Sequence, residues 1–292
     1  MSIHGYADDV QSCFSSTEES EIVSKLEEEA RKMLKFMASN FLSANKNKTG
    51  FMMIRNSKSP ETTASISVGG ELVQESPHHK ILGITVSNAL TWNEHIFGKG
   101  GVLPSVNKRI GALRRLSYSI PAKYLAQISN SIVTSKLRYG LEIYGSVRLH
   151  ESEPKCKTQH DLQVALNKAM RIVLNVRLAD KIPIRELCEQ TGQRTLNQMC
   201  AEAQLRLVWS SLHDPESPIR ALFDAEGGQT DKVLRSKTRG DIRQIAKTSM
   251  GQKNVPYTLI RLWNGCTPST KAQVKKIAAK REIKNYTHTL PL

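Results

Sequence analysis

Two adjacent carboxylates, Asp8 and Asp9, lie near the start of the chain between two short runs of strand-forming residues. This pattern predicts a tight β-hairpin with both aspartates at or beside its turn, where the two side chains can approach one side. Adjacent carboxylate oxygens suit a hard divalent ion such as Mg²⁺, and in two-metal sites such ions stabilise the attacking and leaving oxygens of a phosphoryl transfer. Because Asp is common in turns, a solvated turn without a metal is the alternative.

The net charge of +15 is concentrated in the C-terminal two thirds of the chain. Residues 1–98 carry nine basic and twelve acidic side chains, whereas residues 99–292 carry 33 basic and 15 acidic ones. A local excess of this size indicates a polyanionic partner, most simply nucleic acid, although a basic protein without such a partner is the alternative. The segment that holds the acidic pair is not basic.

Length and composition predict a folded protein of two or three domains, since 39% of the 292 residues are hydrophobic. No membrane span is expected, because no stretch approaches 18 uninterrupted apolar residues. The five cysteines form no C-x-x-C pair, which favours reduced thiols in an intracellular protein. We expect no metal site at His78, His79 and His95, because no ligand-like set accompanies them.

The elements that would position the acidic pair follow in the first hundred residues. Ser16 and Glu19 form a capping-box pattern at the start of a predicted helix that runs to about residue 43. Its apolar positions are three and four residues apart and predict a core face; they are Ile22, Leu26, Ala30, Met33, Met37 and Phe41. Residues 51–54 and 79–86 are predicted strands, and Gly69-Gly70 between two alternating runs predicts a hairpin.

The hydrophobic pattern becomes helical after the flexible joint at residues 98–101. Val106, Ile110 and Leu113 line one face of the first predicted helix, and Pro121 opens a second. The predicted core positions of the second helix are Leu125, Ile128, Ile132 and Leu137. Further helices are predicted at about 162–173, at 194–212 and in the tail, with a polar, loop-rich stretch at 224–256. Trp263 is expected to anchor the core rather than to stack on a base.

Taken in order, the motifs of the chain resemble those of non-LTR (LINE-type) retrotransposon reverse transcriptases. The motifs are Tyr6-Ala7-Asp8-Asp9, Asn45-x-x-Lys48-Thr49, His79–Val86 with its Leu82-Gly83, Leu90-Thr91-Trp92 with His95, Tyr139-Gly140 with Tyr144-Gly145, and Trp263-Asn264. Each motif alone is a weak or moderate signal, but together they cover nearly the whole chain in the family's order. The chain is similar to the C-terminal part of such an enzyme.

The resemblance implies an α+β fold with three regions. Residues 1–98 would be a partial polymerase palm, with a small antiparallel sheet and a helix. Residues 99–150 would be a helical thumb and residues 151–292 a helical C-terminal region. Asp8 and Asp9 would be metal ligands and, with Lys48, catalytic, while Tyr6, Leu82 and Gly83 would contact the primer or the substrate. Basic thumb residues would bind the nucleic-acid backbone; they are Lys108, Arg109, Arg114, Arg115, Lys136 and Arg138.

The partners implied by the resemblance are an RNA template, a DNA primer, dNTP and Mg²⁺. The family places another metal-binding aspartate and the fingers before the acidic hairpin, and only five residues precede Tyr6 here. We therefore expect this chain alone to lack polymerase activity. The alternatives are a non-catalytic basic protein that binds nucleic acid and a helical scaffold protein. Retroelement proteins act in the nucleus and in the cytoplasm, and the sequence does not distinguish between these compartments.

Overall fold

The computed structural model describes residues 1–45, 48–55, 63–154, 156–220, 255–273 and 275–291. The chain divides into two compact units, Met1–Gly101 and Val102–Leu292. Small antiparallel sheets and helices together make an α+β fold, which confirms the predicted class. Most of the polar stretch predicted as loop at 224–256 lies outside the described residues. The assignment of palm, thumb and C-terminal region stays a prediction.

The first unit contains three antiparallel β-hairpins, each a separate two-stranded sheet among the residues described. They are β1 (Ser2–Tyr6) with β2 (Asp9–Cys13), β3 (Ser65–Val68) with β4 (Glu71–Gln74), and β5 (His78–Ile81) with β6 (Ile84–Ser87). Its helices are α1 (Glu19–Ser39) and α2 (Asn93–Phe97). The glycine turn predicted between β3 and β4 is confirmed, because Gly69 and Gly70 both have positive φ, as a type I′ turn requires.

Helix α1 is less buried than its apolar stripe predicts. Ile22, Val23 and Leu26 pack against a small core formed by Phe51, Met53 and Ile66. No residue of α1 is buried, and the prediction of a fully core-facing stripe is wrong. A helix of 21 residues is about 32 Å long, whereas four-residue strands span about 13 Å, so the β3–β4 hairpin covers less than half of it.

The predicted ends of this helix also need correction. The helix begins at Glu19 rather than at a Ser16 cap, and Glu18 occupies the N-cap position without a side-chain capping bond. The Ser16 hydroxyl instead donates to the Glu21 carboxylate and accepts from the Glu18 amide at 3.2 Å. At the other end Phe41 lies beyond the helix, has a φ of +57° and is fully exposed, so it is not a core residue.

Two predicted strands of the first unit are wrong. Of residues 51–54, only Phe51 forms a β-bridge, to Glu75, although Phe51 and Met53 are buried in the alternation that predicts a strand. The segment 79–86 is not continuous, because it turns back at Leu82-Gly83 and pairs Ile81 with Ile84. Both turn residues have positive φ, the conformation of a two-residue type I′ turn.

The regular elements described in the second unit are all helical, and helices of the predicted thumb pack against helices of the predicted C-terminal segment. The elements are α3 (Val102–Leu116), α4 (Ala122–Ser129), a π-helical segment (Asn130–Thr134), α5 (Ser135–Arg138), α6 (Leu141–Tyr144), α7 (Lys157–Leu174), a 3₁₀ turn (Leu178–Asp180), α8 (Ile184–Thr191), α9 (Leu196–His213), α10 (Val255–Gly265), α11 (Pro268–Lys271) and α12 (Lys276–His288). None of the helices described in either unit has the length and apolar composition that crossing a membrane requires.

The predicted core face of the second helix shifts at the π-helical segment. The structure buries positions four residues apart: Leu125, Ser129, Val133 and Leu137. Such spacing drifts around an α-helix of 3.6 residues per turn, but the wider i→i+5 turn of the π-helix keeps these positions on one face. Ile128 and Ile132 remain partly exposed, and their prediction as core residues is wrong.

Helices α7 and α9 form the centre of the second unit. The predicted face of α7 is confirmed, because all six of its positions are buried; they are Leu162, Ala165, Leu166, Ala169, Met170 and Val173. Helix α9 is buried on most of its circumference, and a capping box of Thr195 and Gln198 closes its N-terminus. Trp263 on α10 is buried, with 3% of its surface exposed, which confirms it as a core residue.

Candidate metal hairpin and nucleic-acid-binding residues

The acidic pair lies at the tip of the β1–β2 hairpin, and the predicted tight hairpin is confirmed. Tyr6 pairs with Asp9, which leaves Ala7 and Asp8 as a two-residue turn. Ala7 has a φ of +52°, in agreement with the positive φ that two-residue hairpin turns require at their first position. Residues directly opposite one another in a hairpin project from the same face, so Asp9 shares its face with Tyr6.

Both carboxylates are exposed to solvent, and 69% of Tyr6 is exposed as well. In the described part of the chain, no hydrogen bond or ion pair engages the carboxylate of Asp8 or Asp9. Their oxygens are therefore available to a hydrated Mg²⁺, which proteins commonly hold through one or two carboxylates. Nowhere in the described ranges do three His, Cys, Asp or Glu side chains converge as a metal site would need. The hairpin thus fits one loosely held ion and lacks the ligands of a closed site.

Three groups at and beside Lys48 converge on the Asn45 carbonyl. The Asn45 carbonyl accepts from the Lys48 amide at 3.0 Å, and from the amide and hydroxyl of Thr49, each at 3.1 Å. These hydrogen bonds explain the spacing of Asn45, Lys48 and Thr49 locally, and the Lys48 side chain is exposed. Among the residues that the structure describes, no hydrogen bond or ion pair joins Lys48 to Asp8 or Asp9.

The Leu82-Gly83 pair forms the exposed tip of the β5–β6 hairpin, with 42% of Leu82 exposed. The downstream His95 is buried and packs against this hairpin. Its Nδ1 accepts a hydrogen bond from the Thr85 amide at 3.2 Å, and Trp92 packs edge-on against its ring. This histidine of the Leu-Thr-Trp motif therefore fixes α2 against β6.

The six predicted thumb cations differ in exposure. Arg109 is half-buried and donates from Nη1 to the Ile132 carbonyl at 2.6 Å, where the π-helical segment departs from α-helical bonding. Its side chain therefore stabilises the helix junction. Lys136 is half-buried, and Arg138 donates from Nε to the Met199 sulfur at 3.4 Å. The remaining three cations, Lys108, Arg114 and Arg115, are exposed on α3.

Two groups of residues whose chemistry suits nucleic-acid binding were not predicted from the sequence. Tyr118 and Tyr124 are 84% and 55% exposed and closely follow the basic end of α3 in sequence. Proteins that bind single strands typically combine exposed aromatic and basic groups. Arg194 and Arg206 both pair with Glu202. The regular spacing of Arg194, Glu202 and Arg206 by multiples of four could have indicated the second group.

No family model matches the chain, and no curated protein or solved structure matches it either. The functional interpretation therefore depends on the motifs, on the geometry of the hairpin and on the distribution of charge. The hairpin and the excess of positive charge lie in different parts of the chain, so substitutions can test each without altering the other.

Proposed function

We propose that the chain is a fragment of an RNA-directed DNA polymerase of the non-LTR retrotransposon type. The observation that supports this most directly is the Tyr6–Asp9 sequence at the tip of a two-residue hairpin. In the intact polymerase, Asp8 and Asp9 would hold Mg²⁺, and the bound ion would neutralise charge on the reacting phosphates. Lys48 lies near the triphosphate, and Tyr6, Leu82 and Gly83 contact the primer end.

The fragment binds nucleic acid but does not extend a primer by itself. Two exposed carboxylates fix neither a second ion nor the geometry of an in-line displacement, and loosely held ions supply little electrostatic stabilisation. The exposed cations of the second unit bind phosphates of an RNA template and DNA primer, which positions the duplex without reading its sequence. Binding and catalysis are therefore separable in this chain.

A primer-extension assay on an RNA template with dNTP and Mg²⁺ tests the catalytic half of the proposal. We expect no extension by the wild-type chain. Robust extension that Asp8→Ala abolishes, and that the control substitution Asp161→Ala leaves intact, would contradict the expectation. The genomic reading frame directly upstream of the first codon provides an independent test, since an in-frame continuation that encodes fingers and a further aspartate supports the proposal.

The second candidate function is that of a basic, non-catalytic nucleic-acid-binding protein. The exposed Tyr118 and Tyr124, which follow the basic end of α3, favour it, because aromatic side chains bind single-stranded bases by stacking.

Mn²⁺, a paramagnetic substitute for Mg²⁺, distinguishes the two candidate functions. A polymerase fragment predicts that Mn²⁺ broadens the NMR signals around Ala7, and that Asp8→Asn with Asp9→Asn removes the broadening. Unbroadened signals at millimolar Mn²⁺ favour the second candidate.

A further inference from the structure

Helices α9 and α12 pack side by side in opposite directions. Near the start of α9, Gln198 donates from its side-chain amide to the His288 carbonyl, at the end of α12, at 3.4 Å. Near the end of α9, the Trp209 indole donates to the Gln273 carbonyl, just before α12, at 2.8 Å. The two contacts show that the helices run antiparallel, and we call the line of contact between them the α9–α12 seam.

Each helix presents one row of residues, four apart, along this seam. The row that leads into and along α9 is Arg194, Gln198, Glu202 and Arg206, and the row on α12 is Lys280, Lys284 and His288. Residues four apart share a helix face. Each member of the α12 row comes one residue after a buried residue of that helix, so the row borders the buried face; the buried residues are Ala279, Ile283 and Thr287. With Gln198 near His288, the antiparallel packing directs Glu202 and Arg206 toward the part of α12 that carries Lys284 and Lys280.

Positive charge along the seam exceeds the negative charge that could neutralise it. Arg194 is 8% exposed, and its Nη1 pairs with the Glu202 carboxylate and lies 3.5 Å from the Thr287 hydroxyl. Arg206 pairs with the same carboxylate. The Nη2 atom of Arg194 is buried and has no hydrogen-bond partner among the described residues. The single carboxylate of Glu202 therefore forms ion pairs with two guanidinium groups.

Electrostatic effects within the second unit connect Arg138 and His288 to this group. Burial, followed by the charges of Arg138 and Arg206, lowers the pKa of Arg194, against the opposing effect of Glu202. Burial, followed by the charges of Arg194 and Lys284, lowers the pKa of His288. In the portions of the chain that the structure describes, no carboxylate lies within ion-pair distance of Lys280 or Lys284. The seam is thus a concentrated and incompletely neutralised cationic surface.

We propose that the α9–α12 seam is a binding site for the phosphodiester backbone of nucleic acid. Arg206 offers a planar guanidinium that can bind phosphate through two hydrogen bonds, and Lys280 and Lys284 add mobile ammonium groups beside it. Arg194 is buried under this surface, and its positive charge still acts on a bound phosphate because burial reduces the screening of that charge by solvent. This inference rests on the proposed function, and it extends the nucleic-acid surface from the predicted thumb into the C-terminal helices.

The test is the salt dependence of binding to a fluorescent duplex DNA of arbitrary sequence, measured by anisotropy with the full chain. The seam variant is Arg206→Ala with Lys284→Ala, and the control is Arg185→Ala with Lys168→Ala, which removes the same charge from exposed positions of α8 and α7. Loss of two phosphate contacts reduces the slope of log affinity against log salt by about 1.8. We expect this reduction in the seam variant and a smaller change in the control.

Each outcome separates this inference from the proposed function. Equal slopes for the seam variant and the control overturn the inference alone. Absence of binding by the wild-type chain at about 50 mM salt overturns both. If the first seam variant fails to fold by circular dichroism, Lys280→Ala with Lys284→Ala replaces it, since both side chains are exposed on α12. As a second measurement, duplex DNA raises the NMR-determined pKa of His288, and an unchanged pKa contradicts the site.

Discussion

Substitution of Arg55 tests whether one ion-pair cluster holds the first unit together. Its guanidinium binds both oxygens of Glu75, at 2.6 and 2.9 Å, and donates from Nε to Glu19 at 2.7 Å. Glu75 also accepts from the Ala64 amide at 3.1 Å. Arg55 thereby connects the start of α1, the segment after the core residue Met53, and the end of β4.

The expected cost of Arg55→Ala follows from the burial of the groups that it leaves behind. Only 7% of the Glu75 side chain and 15% of the Arg55 side chain are exposed, whereas 41% of Glu19 is exposed. Removing one partner of a buried pair leaves an uncompensated charge and costs about 3–5 kcal/mol. The Lys25–Glu28 pair on α1, at 3.1 Å, is exposed and screened by solvent, so it contributes little to stability, and Lys25→Ala is therefore the control.

Hydrogen exchange with mass spectrometry measures this cost locally, through the amides of residues 63–76, while peptides from α7 and α9 provide an internal reference. A loss of about 3 kcal/mol lowers protection about a hundredfold. We expect this loss in Arg55→Ala and a change of less than about tenfold in Lys25→Ala. Equal protection in the two variants would refute the reasoning.

The same cluster predicts how stability depends on pH. Hydrogen bonds from Arg55 lower the pKa of Glu75 in the folded chain, despite its burial. The stabilisation is therefore fully present above the unfolded-state pKa of about 4.3, and it is lost as the pH falls through the lower folded-state value. Exchange protection of residues 63–76 should decline with acidification in this window, and this decline should be absent in Arg55→Ala.

Three further predictions concern other parts of the chain. Val133→Ala should lower the free energy of unfolding by about 2 kcal/mol, more than Ile132→Ala, because the π-helical segment buries Val133; denaturant titration measures both. Gly83→Ala should destabilise the β5–β6 hairpin by about 1 kcal/mol, since Gly83 has a φ of +83°, and local hydrogen exchange measures the effect. A thiol reagent at about pH 8 should modify the exposed Cys13 in the native chain but Cys266 only after unfolding, because burial raises the pKa of the Cys266 thiol to about 12.

Local patterns predicted the elements whose geometry depends on local sequence. The faces of α3 and α7 follow the 3.6-residue period because each helix packs one continuous side against the core. The hairpins at Gly69-Gly70 and at the acidic pair were predictable because short turns have strong residue preferences. In both cases the determining residues are neighbours in sequence.

The missed features depend on contacts between distant residues or on uncommon backbone conformations. A leucine with positive φ, as at Leu82, is rare, and no turn signal such as Asn-Gly marks the β5–β6 hairpin. The shift from Ile132 to Val133 depends on a single π-helical turn that hydrophobic periodicity does not reveal. The α9–α12 seam brings Arg194 within 3.5 Å of Thr287, which lies 93 residues later in the chain, so only tertiary structure reveals this group.

Binding of an RNA–DNA hybrid across a range of salt concentrations tests the central claim most directly. We predict sequence-independent binding whose log affinity falls with log salt at a slope of about −4.5 or steeper between about 50 and 200 mM, as five or more phosphate contacts require. The variant Asp8→Ala with Asp9→Ala should give the same slope, because the basic second unit carries the binding. Absence of binding at about 50 mM salt, or a flat salt dependence, would contradict the claim.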